Sequence, residues 1–175
     1  MMGTLTLLLI AALGVALLVL WWRQEGKLPA WLQQEGWLPA ELRQGEMVGV
    51  EKSLMATTPF LVTGRPDRVY RLASGAHTPL DFKNRDTTRL FESDRAQLSL
   101  QAWLLRRNGK PTAPHGYLVV RLRKTGKTSA LKVDLGDDAY CERLIRRYLA
   151  LREGSVKPVK AKDARCNTCG HKGDC

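Results

Sequence analysis

The chain has 175 residues, 28 Lys+Arg against 17 Asp+Glu, and a formal net charge of +11. With 44% apolar and 26% charged residues, this length excludes wholesale disorder and fibrous architectures and supplies a core that folds without disulfide staples. An excess of positive charge directs the chain towards an anionic partner, either nucleic acid or an acidic membrane surface. All of that charge lies beyond residue 22.

From Thr4 to Trp22 run 19 residues without a charge. At about 1.5 Å rise per residue they match the ~30 Å hydrocarbon thickness of a bilayer. Trp21 and Trp22 close the run at the position where amphipathic rings favour the interface, and Arg23 and Lys27 follow. The opening Met-Met-Gly-Thr has no basic residue and no small-residue cleavage pattern follows, so the segment reads as an anchor and not as a cleaved signal. Basic flanks stay inside, which predicts a single-pass protein of the inner cell membrane with its C-terminal part cytoplasmic. Next comes a short duplication, QEGKLPAWL at Gln24–Leu32 and QEGWLPAEL at Gln34–Leu42. Each Leu-Pro-Ala reads as a helix start, because proline is tolerated in the first turn. Two copies are too few for a solenoid, so the repeat reads as a spacer.

Beyond it, Val48–Leu54 and Phe60–Leu72 are rich in β-formers and are predicted strands, with Gly75 in a turn and Thr78–Arg85 as a third strand of an antiparallel meander. The period then changes. Ser93 or Asp94 is predicted to cap a helix carrying Leu98, Ala102 and Leu105, ending near Asn108-Gly109. Tyr117–Arg123 and Ser129–Leu135 are predicted to pair across a turn at Lys124–Lys127. A second helix starts at Asp137 or Asp138, with Leu144, Ile145, Tyr148 and Leu149 on its buried side. The order is strand, strand, strand, helix, strand, strand, helix and tail, an α+β class.

Two carboxylates stand out, Asp67 in Gly64-Arg65-Pro66-Asp67 and Asp81 in Asp81-Phe82-Lys83. If their segments pair, both acids converge on one point, and Asp81 and Lys83, two apart, share a strand face. Hard oxygen ligands of this kind suit Mg²⁺ or Mn²⁺, which keep waters for a phosphate to displace. Read without a partner, the same spacing is an ion pair on a solvated strand face.

The segments GRPDRVYRL, PLDFKNR, SDRAQLSLQAWLL and HGYLVV, in that order, resemble the PD-(D/E)XK nuclease superfamily. The likeness is to its RecB-like branch, including the CRISPR-associated exonucleases that carry an iron–sulfur cluster. The resemblance runs from about Glu46 to the C-terminus. It implies a restriction-endonuclease-like core with a central mixed sheet over 46–153, after an anchor (1–22) and a juxtamembrane linker (23–45), and before a cysteine-rich tail (154–175). It also implies metal binding by Asp67 and Asp81, a catalytic role for Lys83, placement of Gln97 beside the metal and the DNA backbone, and a further acid at Glu51. Gln101 stands where the family's helix motif has tyrosine, no histidine precedes Asp67, and the helix before the core is shortened.

Cys166, Cys169 and Cys175 bring three thiols together in the tail, with Lys and Arg nearby to favour thiolates. The resemblance assigns this triplet to a [4Fe–4S] cluster, for which Cys141 is the available fourth ligand. His171 offers instead a Cys₃His site suited to Zn²⁺. From Cys141 onward nine Lys/Arg face four Asp/Glu. Arg143, Arg146 and Arg147 are expected on the exposed side of their helix, with Arg121, Arg123, Lys124 and Lys127 on a hairpin. Such cations bind phosphates without reading sequence. The expected function is membrane-anchored, metal-dependent DNA hydrolysis, of exonuclease type as the resemblance implies, with a cysteine-bound cluster at the C-terminus. The alternatives are an inactive DNA-binding adaptor of the same fold and a membrane-tethered zinc-binding interaction domain.

Overall fold

A computed structural model of the protein describes residues 35–159. The charge-free run at Thr4–Trp22, the first repeat copy, and the tail with Cys166, Cys169, His171 and Cys175 lie outside them. Among the described residues no helix is long and apolar enough to cross a membrane. Glu35–Trp37 forms a 3-10 turn belonging to a separate unit from the domain that begins at Leu38.

The domain is α+β with a central mixed sheet. Its strands are β1 (Glu46–Val50), β4 (Arg68–Arg71), β5 (His77–Arg85), β6 (His115–Leu122) and β7 (Thr128–Asp134), in that spatial order. A two-stranded hairpin of β2 (Leu54–Ala56) and β3 (Val62–Gly64) stands apart. Among the described residues three α-helices accompany the strands: α1 (Ala40–Arg43), α2 (Glu92–Arg107) and α3 (Asp138–Arg152). Within the sheet only β5 and β6 run parallel, with α2 as the crossover that parallel strands require.

The predicted meander is present as β1, β4 and β5, but its first two strands are each broken in two. The first breaks at Glu51, a non-glycine residue at φ 44, where the chain leaves the sheet. The second is interrupted at Arg65-Pro66-Asp67, because Pro66 has no amide to continue a ladder. Helix α2 starts two to three residues earlier than expected, with Phe91 as N-cap, and the Asp94 carboxylate accepts the Phe91 amide at 2.9 Å. It ends as expected at Asn108, before Gly109 at φ 71. Asp137 caps α3 by accepting from the Tyr140 amide at 2.7 Å. Ile145 of α3 is buried, and Leu144 and Leu149 half-buried, but Tyr148 is 60% exposed, contrary to its predicted side. In the second repeat copy the helix does start at Leu-Pro-Ala, with Pro39 as N-cap of α1.

Two apolar clusters hold α2 in place. Leu98 packs on Leu118, Val120 and Val133 of the sheet. Trp103 and Leu104, on the far side of α2, meet Cys141 and Ile145 of α3 and Ala56 of the hairpin. Arg106 and Arg107 add ion pairs to Asp138 at 2.7 and 3.2 Å.

Glu41 of α1 accepts hydrogen bonds from the Tyr117 hydroxyl and from Lys132 Nζ at 3.2 Å, and lies 3.1 Å from His115 Nε2. The Tyr117 hydrogen bond holds the Glu41 carboxyl below its ordinary value against the opposing effect of burial, with Lys132 and His115 adding to the lowering. A depressed carboxyl contributes stability that is present above its unfolded value of 4.5 and disappears as pH falls through the folded value. Glu41→Ala is therefore expected to cost about 1–3 kcal/mol at neutral pH, because the Tyr117 hydroxyl is left buried without its acceptor. Denaturant titration at pH 7 and pH 3 checks this. The difference between variant and parent should shrink at pH 3, and an equal loss at both pH values would refute the assignment.

Candidate active site

The acids reach one place through strand register. Arg68 pairs with Leu80, so one step back sets Asp67 opposite Asp81. The Phe82 amide donates to Asp67 Oδ2 at 2.7 Å, which fixes the half-buried Asp67 side chain at the end of β4. Along β5 the period-two rule places Asp81, Lys83 and Arg85 on the face that α2 covers. Their in-register neighbours Leu118 and Val120 pack against Leu98 on that same face.

Three side chains interlock there. Lys83 Nζ lies 2.7 Å from Asp81 Oδ2 and donates to Gln97 Oε1 at 2.9 Å, while Gln97 Nε2 donates to Asp81 Oδ1 at 2.5 Å. Each member of this triangle is thereby fixed by the other two. Asp81 is only 2% exposed, whereas the Lys83 side chain is 30% exposed and Gln97 faces solvent. Burial raises the Asp81 carboxyl above its ordinary value, Lys83 pulls it back down, and the neighbouring charges of Asp67 and Asp94 push it up again. A carboxylate so placed is under electrostatic pressure that an added cation would relieve.

Arg85 and Asp94 extend the cluster by a buried ion pair of 2.8 Å, a feature the sequence reading missed. Its signal was available, since 81, 83 and 85 continue one alternation. Gln101, one turn beyond Gln97, is buried and its Oε1 has no hydrogen-bond partner. Glu51 lies just past β1 and not within it, where its carboxylate is 3.8 Å from Arg65 and 65% exposed. Among the described residues no three His, Cys, Asp or Glu side chains assemble as a metal-holding group. What the site offers a cation is therefore two carboxylates, Asp67 and Asp81. That donor set suits an octahedral ion that retains water and takes further oxygens from a phosphate.

Cys141 is fully buried in the apolar cluster with Trp103, Leu104 and Ile145. Burial pushes its thiol up to about 11, an environment that opposes the thiolate needed for metal ligation. On the surface, Arg143, Arg146 and Arg147 are exposed as expected, with the Arg146 guanidinium over the Phe60 ring at 4.8 Å. On the β6–β7 hairpin Arg123, Lys124 and Lys127 are exposed and Arg121 is half-buried.

No protein-family model matches the chain, and no curated protein does. Among solved structures, the crystal structure of SSO0001 is similar in fold, with a TM-score of 0.51 at 16% identity. The match covers 73% of this chain and 58% of that one, so the chain spans less than two thirds of that neighbour. At this identity the likeness concerns the fold alone.

Proposed function

We propose that the protein is a metal-dependent deoxyribonuclease of the PD-(D/E)XK type, held at the membrane by its N-terminal segment and carrying a cysteine-bound cluster in its tail. The observation that carries this reading is the triangle of Asp81, Lys83 and Gln97 beside Asp67 on one sheet face. An ion pair serving stability alone gains little from a half-exposed lysine over a carboxylate whose burial is itself costly. The same arrangement is useful if it presents two acids and an ammonium to a phosphodiester.

Asp67 and Asp81 would hold Mg²⁺ or Mn²⁺, which supplies charge neutralisation and a lowered water pKa when bound. Lys83 projects beside them, its ammonium placed to hydrogen-bond an attacking water or a non-bridging phosphate oxygen. Gln97 fixes Lys83 and Asp81 in register and orients the DNA backbone from α2. The exposed arginines of α3 and the β6–β7 hairpin supply phosphate contacts that position the strand without reading its sequence. In the tail, Cys166, Cys169 and Cys175 offer three ligands for an iron–sulfur cluster, with Zn²⁺ as the alternative. His171 suits the fourth position better than Cys141, whose thiol lies in the core.

The test is incubation of fragment 23–175, purified without oxygen, with end-labelled single- and double-stranded DNA and Mn²⁺, alongside EDTA. Cleavage abolished by EDTA supports the reading, and DNA binding with no cleavage in any metal replaces it by the adaptor. Cys169→Ser is expected to release the metal and lower the melting temperature, since metal binding and folding are coupled in small sites. A brown protein with broad visible absorbance identifies iron–sulfur, and a colourless protein containing zinc identifies the other. Unchanged metal content in the variant would refute the tail site.

A further inference from the structure

On the face that carries Asp67, the sheet continues into a cleft of about 510 Å³. That volume is within the ~300–1,000 Å³ typical of ligand sites. Val48 of β1, Val69 of β4, Leu54 of the hairpin and Leu105 of α2 form its apolar walls, and Lys52 and Lys110 line it as well. Val69 follows Asp67 by two residues, so it lies on the same strand face, about 7 Å further along. The cleft and the acid pair thus lie on one face of the sheet. Neither Lys52 nor Lys110 has an acidic partner among the described residues, and both are exposed. Two free cations at an apolar cleft select a ligand with a flat or apolar body and an anionic group.

We infer that this cleft binds the terminal nucleotide of a DNA strand, with the base against Val48, Val69 and Leu105 and its phosphate at Lys52 and Lys110. The inference rests on the nuclease reading and deepens it. It assigns the strand end to the side of the acid pair away from Lys83, so that hydrolysis would proceed from a terminus. A nucleotide fits better than a membrane lipid, because an acyl chain requires a channel apolar along its length and this cleft intersperses two lysines among its apolar residues.

The test uses the full-length protein in detergent with EDTA present, so that binding is read without turnover. Short single-stranded DNA carries 2-aminopurine at either a terminal or a central position, and fluorescence reports burial of the labelled base. The terminal label should change markedly on binding and the central one little. Unlabelled deoxynucleoside monophosphate should compete, and Lys52→Glu/Lys110→Glu should weaken terminal-label binding roughly tenfold, since two phosphate contacts become repulsive. Both lysines lie on the surface, and a melting curve matching the parent's confirms that the double variant is folded. Equal responses at the two label positions, or an unchanged affinity in the double variant, overturns the inference. So does displacement by anionic phospholipid micelles with no competition from the nucleotide, which would assign the cleft to a headgroup. The nuclease reading fails separately, in the cleavage assay: terminal-label binding without cleavage keeps the cleft, and cleavage without it keeps the nuclease.

Discussion

Replacing Lys83 with alanine is expected to reduce Mn²⁺-dependent DNA cleavage by at least ~10³-fold, the scale on which removal of a positioned charged group acts on a charged transition state. The structure explains why folding should survive. Lys83 Nζ makes one contact to Asp81 and one to Gln97, and the Gln97 amide keeps its own hydrogen bond to Asp81 when the lysine is gone. The loss should therefore fall on turnover more than on the melting temperature. Lys83→Arg is a stringent companion, because a guanidinium keeps the charge but cannot reproduce the compact ammonium. It should remain badly impaired. Retained cleavage in Lys83→Ala, measured on end-labelled DNA with circular dichroism confirming the fold, would sink the active-site assignment outright.

The largest stability effect is expected at Trp103. Its ring is fully buried between the hairpin, α2 and α3, with the Arg107 guanidinium over it at 5.0 Å. Truncation to alanine removes the contacts of three elements at once and should cost about 3–5 kcal/mol. Against a domain stability of about 5–15 kcal/mol, that is enough to populate the unfolded state at modest temperature. Because Trp103 Nε1 has no hydrogen-bond partner, Trp103→Phe loses only volume and should cost clearly less than alanine. Urea titration of the three proteins checks the order. An alanine variant within 1 kcal/mol of the parent would show that the hairpin and α3 are not held through this residue.

Much of the domain was legible from local patterns. The β-formers of Tyr117–Arg123 read as a strand, and β6 is buried through most of its length; of the two starts expected for α3, Asp137 or Asp138, the cap is Asp137. The chain order did not contain the breaks inside the first two strands. Glu51 carries no local sign that it adopts φ 44, and Pro66 ends a ladder only if that segment is central in a sheet. Tyr148 misled because it lies three residues from Ile145 and four from Leu144, a helical neighbour of both, whereas the surface α3 buries is narrower than its apolar stripe. At the site, period two put Asp81 and Lys83 together. Gln97 needed α2 to lie across that face, a tertiary fact, and the resemblance supplied it. The cleft was invisible, since its walls come from β1, β2, β4 and α2.

The break at Glu51 has a counterpart at Asp67. The Glu51 amide donates to the Asp67 carbonyl at 3.1 Å, so the chain departs from the sheet and rejoins it at a single closed neck. Residues 52–66 are thus an excursion, and β1 and β4 would stay paired whatever its length. An excursion of that kind is exchangeable at its exposed positions: with Ala56 and Val62 kept against Trp103, a differently charged hairpin could be grafted between Glu51 and Asp67 at a modest cost in loop entropy. Because Asp67 belongs to the neck, the acid pair would keep its place while one wall beside it was rebuilt. Selection, or an engineer, can in this way alter what the surface accepts without touching Asp67, Asp81 or Lys83.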